Sequence, residues 1–130
     1  MTVKKRPQAS REGTQETGAV LLTRLEELFL LTVLRLDEPA YLVNIREHLL
    51  KHTGKEWAFG SLYVLLSKLE KNGLVRTYIG RPKGVRGGKA VKYYELTEEG
   101  IAALAETKIL QDEMWKGFPA SGLKAIPHER

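Results

Sequence analysis

One segment of the chain concentrates cationic side chains that could bind an anion. The stretch Arg76–Lys92 contains six Lys or Arg and no Asp or Glu. Four of these cations lie among glycines: Arg81, Lys83, Arg86 and Lys89. Such cations neutralise phosphates and release counterions from nucleic acid, while glycines let backbone amides come close to the ligand. The segment therefore predicts contact with a nucleic acid, with a merely solvated turn as the alternative.

The sequence on both sides of this segment predicts the strands of a hairpin. Residues 75–80 and 90–96 are rich in the β-branched and aromatic side chains typical of strands. The intervening residues are rich in Gly, Pro and cations, as expected for an extended loop. We therefore expect a β-hairpin with a long, positively charged tip.

Three helices are predicted before the hairpin. The dense apolar run 19–36 indicates a helix covered on more than one side, and residues 42–52 form a second helix. The third helix begins near Gly60 and ends at Asn72-Gly73, and leucines form its buried stripe. Its outward face is small, polar and basic, with four candidate DNA contacts: Ser61, Ser67, Lys68 and Lys71. Short polar residues also occur on any exposed helix, so this face alone does not specify a sequence.

A fourth helix, 98–116, is predicted after the hairpin, with Thr97 as its cap. Its apolar positions, together with Leu28 of the first helix, are candidates for a dimer interface or an effector site: Ile101, Leu104, Ile109, Met114 and Trp115. Since nothing later in the chain could cover them, we expect a homodimer. The indole of Trp115 could form the wall of an effector pocket at the seam, or could simply pack there.

The order of elements is that of a winged helix-turn-helix, a mainly α fold with a small β-hairpin. In this architecture the third helix enters the major groove of double-stranded DNA, and the hairpin, or wing, reaches the backbone or the minor groove. We expect a basic arm at 1–18, a DNA-binding domain at 19–97, a dimerisation helix at 98–117 and a tail at 118–130.

Composition narrows the class of protein. The chain has 130 residues, a formal net charge of +5 and no cysteine, which excludes disulfides, thiolate metal sites and cysteine nucleophiles. No apolar run is long enough to span a membrane, so we expect a cytoplasmic protein without membrane contact. No catalytic motif is present, and we expect neither enzyme activity nor a cofactor.

His48 and His52 are one helical turn apart, but two ligands without a third make a poor metal site, and a solvent-facing pair is the simpler interpretation.

Two motifs resemble the PadR family of bacterial transcription regulators. They are "GSLYVLLSKLEKNGLV" and "GGKAVKYYELTEEGIAAL", and the resemblance covers about Leu25 to Leu104. It implies that Gly60, Ser61, Leu62 and Tyr63 open the recognition helix, with Tyr63 near the DNA backbone or packed beneath it. The sequence has Ala58 and Phe59 where family members often have Ser-Pro, so the recognition helix lacks an obvious side-chain cap.

The resemblance also implies a function. The single helix after the wing resembles the short C-terminal branch of the family, and phenolic acids or hydrophobic drugs become candidate effectors. We therefore expect a sequence-specific transcriptional regulator, a ligand-responsive repressor that binds an inverted-repeat operator as a homodimer. The alternative is a winged helix that contacts only proteins, since fold alone does not give function.

Overall fold

The computed structural model describes residues 21–81, 89–118, 120 and 121 of the chain. The described elements follow one another in the predicted order: α1 (Arg24–Arg35), α2 (Leu42–Thr53), α3 (Phe59–Lys71), β1 (Val75–Gly80), β2 (Val91–Leu96) and α4 (Glu98–Trp115). The predicted arm 1–18, most of the predicted tail and the wing tip 82–88 lie outside the described residues. The prediction of four helices and one antiparallel hairpin is confirmed.

Helix α1 begins later than the apolar run suggested. Thr23 and Glu26 form a capping box, in which the Thr23 hydroxyl accepts from the Glu26 amide and the Glu26 carboxylate accepts from the Thr23 amide. These two bonds satisfy backbone amides that a helix start would otherwise leave without partners. The helix therefore starts at Arg24, and Leu21 precedes it outside the helix with 73% of its surface exposed.

One apolar core lies between the three N-terminal helices and the hairpin. Its fully buried large side chains come from α1, α2, α3, β1 and β2: Phe29, Leu30, Ile45, Leu49, Leu62, Leu66, Leu69, Val75 and Tyr94. The buried leucines of α3, Leu62, Leu66 and Leu69, are separated by four and then three positions. This spacing places them on one face of the helix, which explains why one stripe of α3 is buried. The opposite face of α3 is consequently left to solvent.

The hairpin is held against the helices through its second strand. Strands β1 and β2 pair antiparallel from Val75 with Leu96 to Gly80 with Val91. The Tyr94 amide also donates to the Ala40 carbonyl at 2.9 Å, so the segment between α1 and α2 extends the sheet by one bridge. This bridge fixes the hairpin relative to α1 and α2, the helices on either side of Ala40.

The start of α4 is built against the end of α3. The Thr97 hydroxyl accepts from the Gly100 amide and donates to the Gly73 carbonyl at 2.7 Å, while the Thr97 amide donates to the Leu74 carbonyl. The predicted capping role of Thr97 is confirmed. Gly100 in this turn is unfavourable for helix formation, but its Cα lies so close to Leu74 that a Cβ would be 2.1 Å from the Leu74 oxygen. Glycine is therefore required for this close packing.

None of the helices within the described ranges combines the length and apolar character needed to cross a lipid bilayer.

Candidate nucleic-acid interface

Helix α3 presents one solvent-facing surface, which we call the recognition face. Its members are Gly60, Ser61, Val64, Ser67, Lys68 and Lys71, all exposed except the half-buried Ser67. They lie opposite the buried leucines, as expected from the helical spacing. No acidic residue belongs to this face, which therefore combines hydroxyl donors, two ammonium groups and one apolar side chain. Val64, with 67% of its surface exposed, lies near the centre of the face.

The N-terminus of α3 has no side-chain cap. Ala58 occupies the cap position with extended backbone, and the first helical bond runs from the Leu62 amide to the Ala58 carbonyl at 3.1 Å. This agrees with the sequence, because alanine has no side-chain acceptor. The helix nevertheless starts at Phe59, so other contacts must hold this turn in place.

The residue Lys92 joins the hairpin to α3, and sequence reasoning did not select it as a site residue. Its Nζ lies 5.2 Å from the ring centroid of Tyr63 and 4.0 Å from Oε1 of Glu70. Glu70 also accepts a hydrogen bond from the Thr77 hydroxyl at 3.2 Å. The strand alternation could have identified Lys92, because it occupies the same face of β2 as the buried Tyr94 and so points toward α3.

Tyr63 and Tyr94 differ in exposure. Tyr63 is 47% exposed beside the recognition face, whereas Tyr94 is buried and its hydroxyl has no hydrogen-bond partner among the described residues. Burial, with smaller contributions from Tyr63 and Glu70, raises the pKa of Tyr94 to about 12. Tyr94 is therefore a neutral core residue, and Tyr63 is the accessible aromatic group.

The cations of the wing have different surroundings. Arg81 directly follows β1, Lys89 lies two residues before β2, and both side chains are exposed. Lys83 and Arg86 lie outside the described residues. Arg76, at the start of the hairpin, donates to Glu95 on β2 at 2.7 Å. The charge of Arg76 is therefore paired within the protein.

The two histidines of α2 contact each other. The His48 and His52 rings lie 4.3 Å apart between centroids. Burial, followed by the His52, Arg35 and Lys51 charges, lowers the pKa of His48. Across the described part of the chain, no three His, Cys, Asp or Glu side chains are grouped as a metal ion would require.

The candidate dimer residues separate into buried and exposed groups. Leu104 is only 9% exposed and belongs to the core of the single chain, and Leu28 is half-buried against that core. Leu104 therefore does not belong to the exposed surface expected from the sequence, because the first turns of α4 pack against the core. Ile101, Ile109, Met114 and Trp115 remain 46–72% exposed.

The exposed end of α4 continues its buried stripe beyond the core. Gly100, Ala103, Leu104 and Thr107 are buried, and the same spacing leads to Met114 and Trp115. Phe118 lies beyond the helix end, and its amide donates to the Trp115 carbonyl at 2.7 Å. Leu21, before α1, is also exposed, and Gln111 of α4 donates to Glu27 of α1 at 3.1 Å. We call Met114, Trp115 and Phe118 the apolar end; its members are 46–72% exposed.

Comparison with known proteins gives consistent results. A family model described as the Transcriptional regulator PadR-like family matches residues 30–106. The solved structure of a PadR-like transcriptional regulator from Bacillus cereus is 25% identical, with a TM-score of 0.60, over 81% of this chain and 93% of that chain. A PadR family transcriptional regulator from Eggerthella lenta is 30% identical, with a TM-score of 0.55, over 72% of this chain and 80% of that chain. No match was found among the curated proteins.

The matched region 30–106 runs from α1 into α4 and contains α3, both strands and the wing. The similar structures share the winged helix arrangement of helices and hairpin. The chain therefore belongs to the PadR-like family of transcriptional regulators.

Proposed function

We propose that this chain is a cytoplasmic, sequence-specific DNA-binding repressor that binds an inverted-repeat operator as a homodimer and responds to a small hydrophobic effector. Membership of a transcriptional regulator family supports the general class. The observation that carries the proposal is the recognition face, an exposed helix surface without acids, beside a hairpin whose loop holds four cations.

The recognition face has the chemistry needed to read bases. In the proposed complex α3 lies in the major groove, where Ser61, Ser67 and Lys68 meet base edges or nearby phosphates. Lys71 and Tyr63 lie at its borders and contact the backbone. The wing cations Arg81, Lys83, Arg86 and Lys89 then follow the adjacent sugar-phosphate chain and supply affinity that does not depend on sequence.

A homodimer would place two recognition faces on one duplex. We assign residues 19–97 and the buried first turns of α4 to the DNA-binding unit, and the rest of α4 to dimerisation. A second copy would cover the adjacent Met114 and Trp115, together with Ile101 and Ile109, because large exposed apolar side chains are common at subunit interfaces. Two-fold symmetry then requires an inverted repeat with half-sites about one helical turn apart.

The first experiment separates the roles of wing and recognition face. An operator is selected from genomic fragments, and affinities are measured on it and on a scrambled duplex at two salt concentrations. We expect Lys83→Ala and Arg86→Ala to weaken both duplexes alike and to reduce the salt slope by about one for each phosphate that is no longer neutralised. Ser67→Ala and Lys68→Ala should instead lower operator preference, by ~1–3 kcal/mol for each base pair no longer read.

Lys108→Ala is the matched control for loss of a cation. Lys108 is exposed on α4, which is neither the recognition helix nor the hairpin, and it pairs with Asp112 at 2.9 Å. Its removal should leave the salt slope and the operator preference unchanged. If wing variants lose operator preference while recognition-face variants lose only general affinity, the proposed roles are reversed.

The effector part of the proposal concerns Trp115. This indole is 46% exposed at the apolar end and would form an aromatic wall at the dimer seam. In the variant Trp57→Phe, where Trp115 is the remaining tryptophan, titration with aromatic acids or cationic dyes should change the fluorescence in a saturable way. An unchanged signal with every compound would mean that Trp115 is only a packing residue.

A further inference from the structure

Arg46, on α2, contacts the segment that leads into the recognition helix at three points. Its Nε donates to the Trp57 carbonyl at 2.8 Å, and its Nη2 donates to Oε2 of Glu56 at 2.7 Å. Its guanidinium carbon lies 4.4 Å from the ring centroid of Phe59, the first residue of α3. One planar cation therefore binds a carbonyl, a carboxylate and an aromatic face within four consecutive positions of the chain.

These contacts lie where α3 lacks support of its own. Ala58 provides no capping side chain, and Gly60 in the first turn has low helix propensity. Phe59 is 41% exposed, so burial in the core does not fix its position. On the other side of this segment, the Trp57 ring packs edge-on against the buried Phe29 at 5.8 Å between centroids. Trp57 and Arg46 thus hold the end of the connection between α2 and α3 from its two sides.

The chemistry of this site favours arginine over lysine. Nε and Nη2 lie on one edge of a rigid plane, so both bonds form in a single orientation, and the face of the same plane stacks on the phenyl ring. A lysine ammonium is a point charge on a flexible stem, and it cannot reproduce both bonds and the stacking at once. The side chain of Arg46 is 29% exposed, which shields these interactions partly from solvent.

We infer that Arg46 is a positioning residue for DNA recognition: it sets the position of the first turn of α3, which carries Gly60 and Ser61, without touching DNA itself. This inference rests on the proposed function. Base-edge hydrogen bonds depend on accurate geometry, whereas ionic attraction to phosphates tolerates small displacements. Displacement of this turn should therefore reduce sequence preference more than general affinity.

The test uses the full chain with Arg46→Lys and Arg46→Met on the selected operator and a scrambled duplex. We expect operator affinity to fall roughly tenfold, equivalent to about one base pair no longer read, while scrambled affinity changes less than twofold. The salt slope should stay at the wild-type value, because no phosphate contact is removed. Arg76→Lys is the matched control, since Arg76 makes a similar bond to Glu95 at 2.7 Å but lies on the hairpin; it should leave operator preference unchanged.

A rescue variant separates positioning from general stability. Adding Ala58→Ser to Arg46→Met supplies a capping hydroxyl to the first turn and should restore part of the operator preference. Equal losses on both duplexes, or a salt slope reduced by about one unit, would overturn the inference and indicate a stability or phosphate role. If wild type prefers an operator and both Arg46→Lys and Arg46→Met show the same preference, the inference about Arg46 fails and the proposed function stands. If wild type binds no duplex, both the proposed function and the inference fail.

Discussion

Gly100→Ala should destabilise the chain by about 3 kcal/mol or more, the upper range for side chains forced into a packed site. The new Cβ would lie 2.1 Å from the Leu74 carbonyl oxygen and 3.1 Å from the carbonyl carbon. Leu74 cannot withdraw without cost, because its carbonyl accepts from the Thr97 amide at 3.1 Å. The change should appear in urea unfolding as a lower midpoint with little change in slope.

Gly60→Ala is the control for this prediction. Gly60 lies in the first turn of α3, and a Cβ there would meet no atom within 4 Å. Alanine should therefore be neutral or stabilise the chain by about 0.5–1 kcal/mol, the difference in helix propensity. Equal unfolding midpoints for Gly100→Ala and wild type would show that α4 and Leu74 are not packed as described.

Met114→Asp should convert the proposed dimer to a monomer at micromolar concentration. Met114 is 72% exposed in the single chain and continues the buried stripe of α4, so a second copy would bury it. A carboxylate in that apolar contact would lose its hydration without a partner. Light scattering should report the mass of one chain, and operator affinity should fall by at least about a hundredfold, because the two half-sites are no longer bound by one molecule.

Met114→Leu is the matched control, since it retains an apolar side chain of similar size and should remain dimeric. Leu104→Asp does not serve this purpose, because Leu104 is part of the core and the variant would disrupt the fold itself. A wild-type chain with monomeric mass at micromolar concentration would contradict the proposed dimer. A dimer that survives Met114→Asp would move the interface away from the apolar end.

The order and type of the elements could be predicted because their signals are local. Leucine spacing, the Asn72-Gly73 stop, the strand composition and the Thr97 cap each act within a few residues, and all agree with the structure. The predicted start of α1 is wrong, because the apolar run begins before the helix, whereas the capping box formed by Thr23 and Glu26 sets its first residue at Arg24.

The parts that could not be predicted depend on contacts between distant residues. The need for Gly100 arises from Leu74. Strand alternation gives the face of β2 on which Lys92 lies, but it does not show that Glu70 and Tyr63 of α3 are its partners. The apolar spacing of α4 does not show where its packing against the core ends. For this reason Leu104 and Met114 appeared equivalent in sequence, although one is buried and the other exposed.

The salt dependence of duplex binding tests the central claim most directly. Fluorescence anisotropy of a labelled duplex, with the folded 130-residue chain, gives the observed association constant at several salt concentrations. A dimer has eight wing cations. If each neutralises one phosphate, the logarithm of the association constant should fall against the logarithm of the salt concentration with a slope of about −7, and if only half of them do, with a slope of about −4. A slope in this range is the predicted result. Absence of duplex binding, or a slope near zero, would contradict the account and indicate a winged helix that contacts only proteins.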